Sequence, residues 1–110
     1  MPATTTTTLN TPGFETRVRN TEGVALVDFW ADWCPPCKAL GPAIDQLAAD
    51  RDDALVAKVD VDDNKTLARS LGVSSIPTVI VFKDGREFER LVGLRQINEY
   101  HRALDEALAG

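Results

Sequence analysis

The sequence predicts an α/β fold in which a mixed β-sheet carries helices on both faces. Two almost continuous apolar runs, residues 24–31 and 54–61, are typical of central strands that are covered on both sides. Helical periodicity follows each run, and strands that alternate with helices pair in parallel. Residues 78–92 are instead two β-rich runs around Asp84-Gly85, which favours a type I′ hairpin turn and an antiparallel pair.

The two middle helices are predicted from apolar spacing and from their ends. After Cys34, apolar side chains recur every three or four residues, as on one face of a helix. Asp62, Asp63 or Asn64 can cap the start of the following short helix, and Gly72 can end it.

The ends of the chain complete the element order. Residues 13–20 predict a short helix, and the Thr4–Thr8 run can enter an edge strand near Leu9. A last amphipathic helix, from about residue 96, places one apolar face against the sheet, although Gln96 is a poor cap; that face contains Ile97, Tyr100, Leu104 and Leu108. The predicted order is therefore β-α-β-α-β-α-β-β-α.

A chain of 110 residues is long enough for one domain with a hydrophobic core. We expect a flexible N-terminal segment over residues 1–8 and a single folded domain over residues 9–110. Phenylalanine side chains on the predicted helices and strands should fill the core, together with Trp30; they are Phe14, Phe29 and Phe82.

Charge and hydropathy exclude several classes of function. A net charge of −5 argues against binding of nucleic acid, which requires a basic surface, and more weakly against anionic membranes. No apolar run is long enough to span a membrane. The N-terminus also lacks the basic start and apolar stretch of a secretory signal, so we expect a cytoplasmic protein.

The two cysteines, Cys34 and Cys37, are the strongest chemical signal in the chain. In a cytoplasmic protein such a pair is more often catalytic or metal-binding than structural. A zinc site usually requires four ligands, and besides carboxylates only His101, far away in the sequence, is left. A redox pair is therefore preferred over a structural disulfide or half of a zinc site, and we expect no bound cofactor or metal.

Four stretches together resemble the thioredoxin family: VDFWADWCPPCK, KVDVDDN, GVSSIPTVIVFKDG and LVG. They occur in the order and at the spacing of that family, and the resemblance extends from about Phe14 to the C-terminus. It implies a thioredoxin fold, with a central mixed five-stranded sheet flanked by four helices. It also implies a protein-disulfide reductase that cycles between a Cys34/Cys37 dithiol and a disulfide.

The position of Cys34 at a helix start explains why it would be the nucleophile. Free N–H groups and partial positive charge at a helix N-terminus stabilise a thiolate, the form that attacks disulfides. Cys37 lies one turn further on, should be more buried, and would be the resolving cysteine. The family usually has Gly-Pro between the cysteines; here Pro35 and Pro36 remove two amide hydrogens, so only Cys37 can donate one to the thiolate.

Other roles are carried over from the resemblance, each beside a plainer interpretation. Asp28 would accept the proton of Cys37 and Lys58 would tune it; alternatively, they are a satisfied aspartate and a lysine that reaches solvent from a strand. Pro77 would form a cis peptide bond with Ile76, or simply begin a strand. The expected substrate-binding residues are Trp33, Pro36, Ile76, Pro77 and Gly93, with Leu94 beside them, although Trp33 could also be a core residue.

The expected partners follow from the same resemblance. A flavin- and NADPH-dependent thioredoxin reductase would return electrons to the cysteine pair, and many disulfide-containing proteins would be substrates of a monomer in cell redox homeostasis. Two alternatives stay open. One is a thioredoxin-like disulfide oxidant or isomerase, or an exported reductant for cytochrome maturation. The other is a docking subunit that uses the apolar rim around Cys34.

Overall fold

The computed structural model describes residues 6–110, which form a five-stranded mixed sheet with helices on both faces. The first helix, Thr11–Phe14, continues into a π-helical turn over Glu15–Arg19. The elements are β1 (Thr7–Thr8), α1 (Thr11–Phe14), β2 (Val24–Trp30), α2 (Pro35–Asp50), β3 (Leu55–Asp60), α3 (Lys65–Ser70), β4 (Thr78–Lys83), β5 (Arg86–Val92) and α4 (Ile97–Ala109).

The sheet has the strand order β1-β3-β2-β4-β5. β3 pairs in parallel with β1 and β2, whereas β4 is antiparallel to both β2 and β5. The predicted fold class and element order are therefore confirmed, including the antiparallel hairpin at the end of the sheet.

Alternation along the central strand β2 divides the interior into two apolar clusters. Val24 and Leu26 face α2 and α4, whereas Ala25, Val27 and Phe29 face α1 and α3. Phe14 and Phe82 join the second cluster, with ring centroids 5.3 Å apart, so the three phenylalanines form core contacts as predicted.

The short helix α3 ends as predicted but begins differently. Gly72 has a φ of 71° and its N–H donates to Arg69 O, while Val73 N donates to Ala68 O. This pair of bonds is a Schellman ending. At the other end Asn64 holds the N-cap position, but its side chain caps nothing in α3, because it binds Thr11 in α1 instead.

The hairpin turn has the geometry that its dipeptide predicted. Asp84 and Gly85 have φ values of 51° and 84°, and a type I′ turn requires positive φ at both central residues. A side chain at Gly85 would also collide with the Arg19 carbonyl oxygen, so the turn packs tightly against the end of the first helix.

One expectation for the apolar face of α4 is wrong in detail. Leu108 is 39% exposed, and the buried face instead consists of Tyr100, Ala103, Leu104 and Ala107. Gln96 is the poor cap that was expected, and the Glu99 carboxylate accepts a long hydrogen bond of 3.4 Å from its backbone N–H. The Gln96 side chain itself makes no cap hydrogen bond, because the Glu99 N–H donates to the Gln96 backbone oxygen.

The N-terminal boundary lies earlier than expected. Thr7 and Thr8 pair with Ala57 and Lys58 of β3, so the sheet already includes the end of the predicted flexible segment. Residues 1–5 of that segment lie outside the described residues. Among residues 6–110, no helix is long and apolar enough to cross a membrane.

Candidate active site

The two cysteines lie where the chain leaves β2 and enters α2. Cys34 is the N-cap of α2, and it forms a disulfide with Cys37 over a Cα–Cα distance of 5.3 Å. Pro35 and Pro36 occupy the first helical positions, where the missing N–H groups leave no intrahelical bond unmade. The next amide, that of Cys37, donates to Cys34 Sγ at 3.3 Å, so the one donor that the prolines leave points at the sulfur.

Both cysteines are buried in the disulfide form. Cys34 is 3% exposed and Cys37 2%, so the expected difference in burial between them is almost absent. They belong to a small apolar cluster with Ala31, against which Ile76 and Trp30 pack. Water is therefore largely excluded from the sulfur atoms.

The segment before β4 lies directly against the cysteine pair. The Ile76 carbonyl oxygen is 3.8 Å from Cys34 Sγ, and the Ile76–Pro77 peptide bond is cis, as the resemblance implied. Pro77 O accepts a 2.8 Å hydrogen bond from Gly93 N, which follows β5. Three segments far apart in the sequence therefore meet around one sulfur atom.

Around this meeting point the surface is apolar and open. Trp33 is 67% exposed, which excludes a core role, and its indole Nε1 donates to Asp62 Oδ2 at 2.7 Å. Leu94 is 54% exposed, and no atom lies within 4 Å of where a Cβ on Gly93 would be. A groove of about 290 Å³ runs beside Trp33 and Ile76; it is also lined by Val61, Val73, Ser74 and Ser75.

The expected proton acceptor, Asp28, lies in the middle of β2, on the same face of the sheet as Leu26, which α2 and α4 cover. It is 3% exposed, and its Oδ1 has no hydrogen-bond partner among the described residues. Burial raises the pKa of Asp28 to about 7; Lys58 lowers it and Asp45 adds a smaller rise. A carboxyl group with this pKa can take up and release a proton near neutral pH.

Lys58 pairs with Asp28 across β2 and β3, so both side chains leave the sheet on the same face. Its ammonium nitrogen lies 4.9 Å from the centroid of the Trp30 ring, a cation–π distance. Trp30 is only half-buried, so it is not the core residue that was expected. Its ring contacts Lys58 and also packs against the cluster that contains the two cysteines.

The remaining candidate metal ligand is far from the cysteines. His101 Nδ1 lies 3.2 Å from the guanidinium of Arg51, which follows the C-terminal end of α2, whereas the cysteines begin that helix. Within residues 6–110 there is no group of three or more histidine, cysteine or acidic side chains that could hold a metal ion.

Sequence reasoning placed Tyr100 only on the apolar face of α4. In the structure its side chain is fully buried, and the hydroxyl has no hydrogen-bond partner among the described residues. Burial raises the pKa of Tyr100 to about 12, and the charge of Asp28 is among the further causes that raise it. The only sequence signal was a hydroxyl on an otherwise apolar helix face.

Comparisons with known proteins agree with this geometry. The thioredoxin family model matches residues 5–106. A thioredoxin from Chlamydia caviae is 45% identical over 84 residues, which cover 76% of this chain and 82% of that protein. Thioredoxin 2 from Chlorobaculum tepidum is 44% identical over 94 residues, or 84% and 86% of the two chains.

Solved structures give the same result. A mutant thioredoxin from Halobacterium salinarum superposes with a TM-score of 0.83 at 35% identity, covering 97% of this chain and 96% of that one. A thioredoxin from Malassezia sympodialis gives a TM-score of 0.87 at 28% identity, covering 97% and 94%. These relatives do not favour the oxidant, isomerase, cytochrome-maturation or docking alternatives. The chain belongs to the thioredoxin family and is a thiol–disulfide oxidoreductase with protein-disulfide reductase activity.

Proposed function

We propose that Cys34 is the nucleophile and Cys37 the resolving cysteine of this reductase. The observation that carries the assignment is the Cys37 amide, which donates to Cys34 Sγ at the start of α2. That donor and the helix N-terminus stabilise a thiolate on Cys34 once the disulfide is reduced.

The cycle then has two exchange steps. The Cys34 thiolate attacks one sulfur of a substrate disulfide, forms a mixed disulfide and releases the first substrate thiolate. Cys37 loses its proton, attacks Cys34 Sγ and releases the second substrate thiolate. Two electrons pass to the substrate, and the protein ends in the Cys34–Cys37 disulfide form.

Asp28 accepts the proton of Cys37 in the second step. Support comes from its burial on the face of the sheet that α2, the helix of the cysteine pair, covers, and from a pKa that burial raises to about 7, the range in which a base works best at neutral pH. Lys58 tunes this carboxyl group, because its positive charge lowers the pKa that burial raises.

Substrate proteins bind across the exposed rim around Cys34. Trp33, Pro36 and Leu94 are exposed there, and Gly93 leaves space for a partner's backbone. The backbone of Ile76, held beside Pro77 and next to Cys34 Sγ, offers hydrogen bonds to an extended substrate chain. Recognition through backbone and apolar contact suits many different substrates.

The partners and the setting are part of the same proposal. A flavin- and NADPH-dependent thioredoxin reductase returns two electrons to the disulfide, and the protein works as a monomer in cytoplasmic electron transport and redox homeostasis. The acidic net charge of −5 is consistent with protein substrates in preference to nucleic acid or anionic membranes.

Insulin reduction, with a thioredoxin reductase and NADPH supplying electrons, tests the assignment. Cys34→Ser should abolish turnover, whereas Cys37→Ser should accumulate a stable mixed disulfide with insulin. Turnover that survives Cys34→Ser overturns the nucleophile assignment. Asp28→Asn should slow the decay of the mixed disulfide at pH 7 while leaving the first attack unchanged; an unchanged decay rate removes Asp28 from the mechanism.

A further inference from the structure

The buried polar atoms that lack a hydrogen-bond partner gather on one face of the sheet. Among residues 6–110 there are three: Asp28 Oδ1, Trp30 Nε1 and Tyr100 Oη. Asp28 and Trp30 leave β2 on the same side, since side chains two apart in a strand share a face. Unpaired buried polar groups are rare and unfavourable, so a group of them at a reactive centre calls for a functional reason.

Packing places the Tyr100 ring on the face of the sheet that carries Asp28. Leu26, two residues before Asp28, and Val79, its pairing partner in β4, belong to the same buried cluster as Tyr100. α4 packs across both of these strands. Tyr100 therefore reaches into the region from which the Asp28 carboxyl group projects.

The hydroxyl points toward the active-site end of α4. Side chains on a helix lean toward its N-terminus, and the backbone of Arg95, just before α4, is near enough to the hydroxyl to lower the pKa of Tyr100, which burial raises. Arg95 is two residues after Gly93, which binds Pro77 next to the disulfide. The negative charge of Asp28 is also one of the causes that raise the pKa of Tyr100, as expected for two buried groups on the same face of the sheet.

Each element packed around Asp28 contributes an identifiable group. β3 supplies the cation Lys58, α2 supplies the carboxylate of Asp45, and α4 supplies the Tyr100 hydroxyl. β2 itself adds the Trp30 Nε1–H, two residues from Asp28. β4 supplies only the apolar Val79. The Tyr100 hydroxyl and the Trp30 Nε1–H are thus the neutral donors in this set, and of the two only the hydroxyl hydrogen can rotate toward a carboxylate.

We propose that Tyr100 is a positioning residue for Asp28: its hydroxyl donates a hydrogen bond to a water molecule that in turn donates to the ionised Asp28 carboxylate. The inference rests on the proposed role of Asp28 as the base for Cys37. The donor favours the ionised form, so it keeps more of the protein ready to accept the Cys37 proton at neutral pH.

Tyr100→Phe tests this proposal, because it removes the hydroxyl with minimal change of shape. NMR of the Asp28 carboxyl carbon in the disulfide form measures the titration midpoint of Asp28 directly. The titration midpoint of Asp28 should rise by about half a unit to one unit without the donor. Decay of the mixed disulfide at pH 7 should slow by roughly twofold to fivefold, and the two rates should converge once Asp28 is ionised in both proteins.

The Asp28→Asn background is the matched control. There, Tyr100→Phe should leave the rate and its pH profile unchanged, because the group it acts through is gone. An Asp28 midpoint that stays or falls in Tyr100→Phe overturns the proposal. If Asp28→Asn itself leaves the decay rate unchanged, the base assignment fails, and the midpoint still decides whether Tyr100 contacts Asp28.

Unmodified protein gives an independent measurement that needs no folded variant. The Tyr100 Cζ resonance should move with pH at the same midpoint as the Asp28 carboxyl carbon. If the Tyr100 Cζ chemical shift does not change at the Asp28 midpoint, the proposed hydrogen-bond link between Tyr100 and Asp28 is overturned.

Discussion

The two faces of β2 show how one strand can serve both folding and chemistry. On the face toward α1 and α3, Ala25, Val27 and Phe29 pack into a cluster of apolar side chains. On the face toward α2 and α4, the same strand carries Leu26 beside Asp28, whose Oδ1 is buried without a partner. Among the described residues, the buried polar atoms without a hydrogen-bond partner therefore lie only on the side of the sheet that α2, the helix of the cysteine pair, covers.

The buried polar residues on the two sides of the sheet differ in the same way. Asn64, on the α1 and α3 side, has both ends of its amide paired: Oδ1 accepts from Thr11 N and Oγ1, and Nδ2 donates to Asp60 O. Asp28 leaves an oxygen unpaired and changes its charge near neutral pH. Removing a polar group should therefore have opposite effects on stability on the two faces.

The largest expected effect is that of Phe14→Ala on the apolar face. Phe14 is fully buried and touches the rings of Phe29 and Phe82, so its loss should lower the free energy of unfolding by about 3–5 kcal/mol. Urea denaturation at pH 5 and pH 8 measures it. The loss should be the same at both pH values, and folded protein should keep its insulin-reduction rate. A pH-dependent loss would show that the apolar face influences the titration of Asp28 on the other face.

Asp28→Asn should have an effect of the opposite sign. The folded-state pKa is about 7 against an ordinary 3.8, so burial of the charged form destabilises the protein fully above pH 7 and not at all below about pH 4. The variant should therefore gain up to about 4 kcal/mol at pH 8, a gain that shrinks through this window as pH falls. Equal gains at pH 4 and pH 8 would contradict a buried, titrating carboxyl group.

Asn64→Ala is expected to destabilise by about 1–3 kcal/mol, because it leaves the Thr11 donors and the Asp60 carbonyl without their partner. Denaturation at pH 5 and pH 8 should give equal losses. Thr11→Val, which removes a single hydroxyl from the same set, is the control and should lose less. If Asn64→Ala instead raised the free energy of unfolding, the paired Asn64 would destabilise the protein just as the unpaired Asp28 does on the other face.

The smallest expected effect belongs to Lys58→Met. Removing the positive charge opposite Asp28 should raise the titration midpoint of that carboxyl group by about half a unit. Lys83→Met, at the hairpin end of β4, is the matched control and should leave the midpoint unchanged. Equal shifts in both variants would mean that net charge, and not the pairing across β2 and β3, sets the pKa of Asp28.

Local patterns in the sequence were sufficient for the elements and for the reactive pair. Apolar runs, helical spacing and the Asp84-Gly85 turn act over a few residues, so they fix strands, helices and the hairpin without tertiary information. The spacing of Cys34 and Cys37 at a strand-to-helix junction likewise indicated redox chemistry, and the disulfide is formed in the structure.

Partner choice between distant residues was decided only by the tertiary structure. The Asn64 side chain binds Thr11 and makes no cap hydrogen bond to α3. Trp33 is an exposed rim residue whose indole N–H donates to Asp62. Tyr100 reached the region of Asp28 through packing between α4 and the central strands. Local sequence patterns were enough to predict which elements form and that the Cys34–Cys37 disulfide is the reactive bond. Tertiary packing determined which groups surround that disulfide. The reason is that burial and hydrogen-bond pairing depend on segments that meet only in the folded chain.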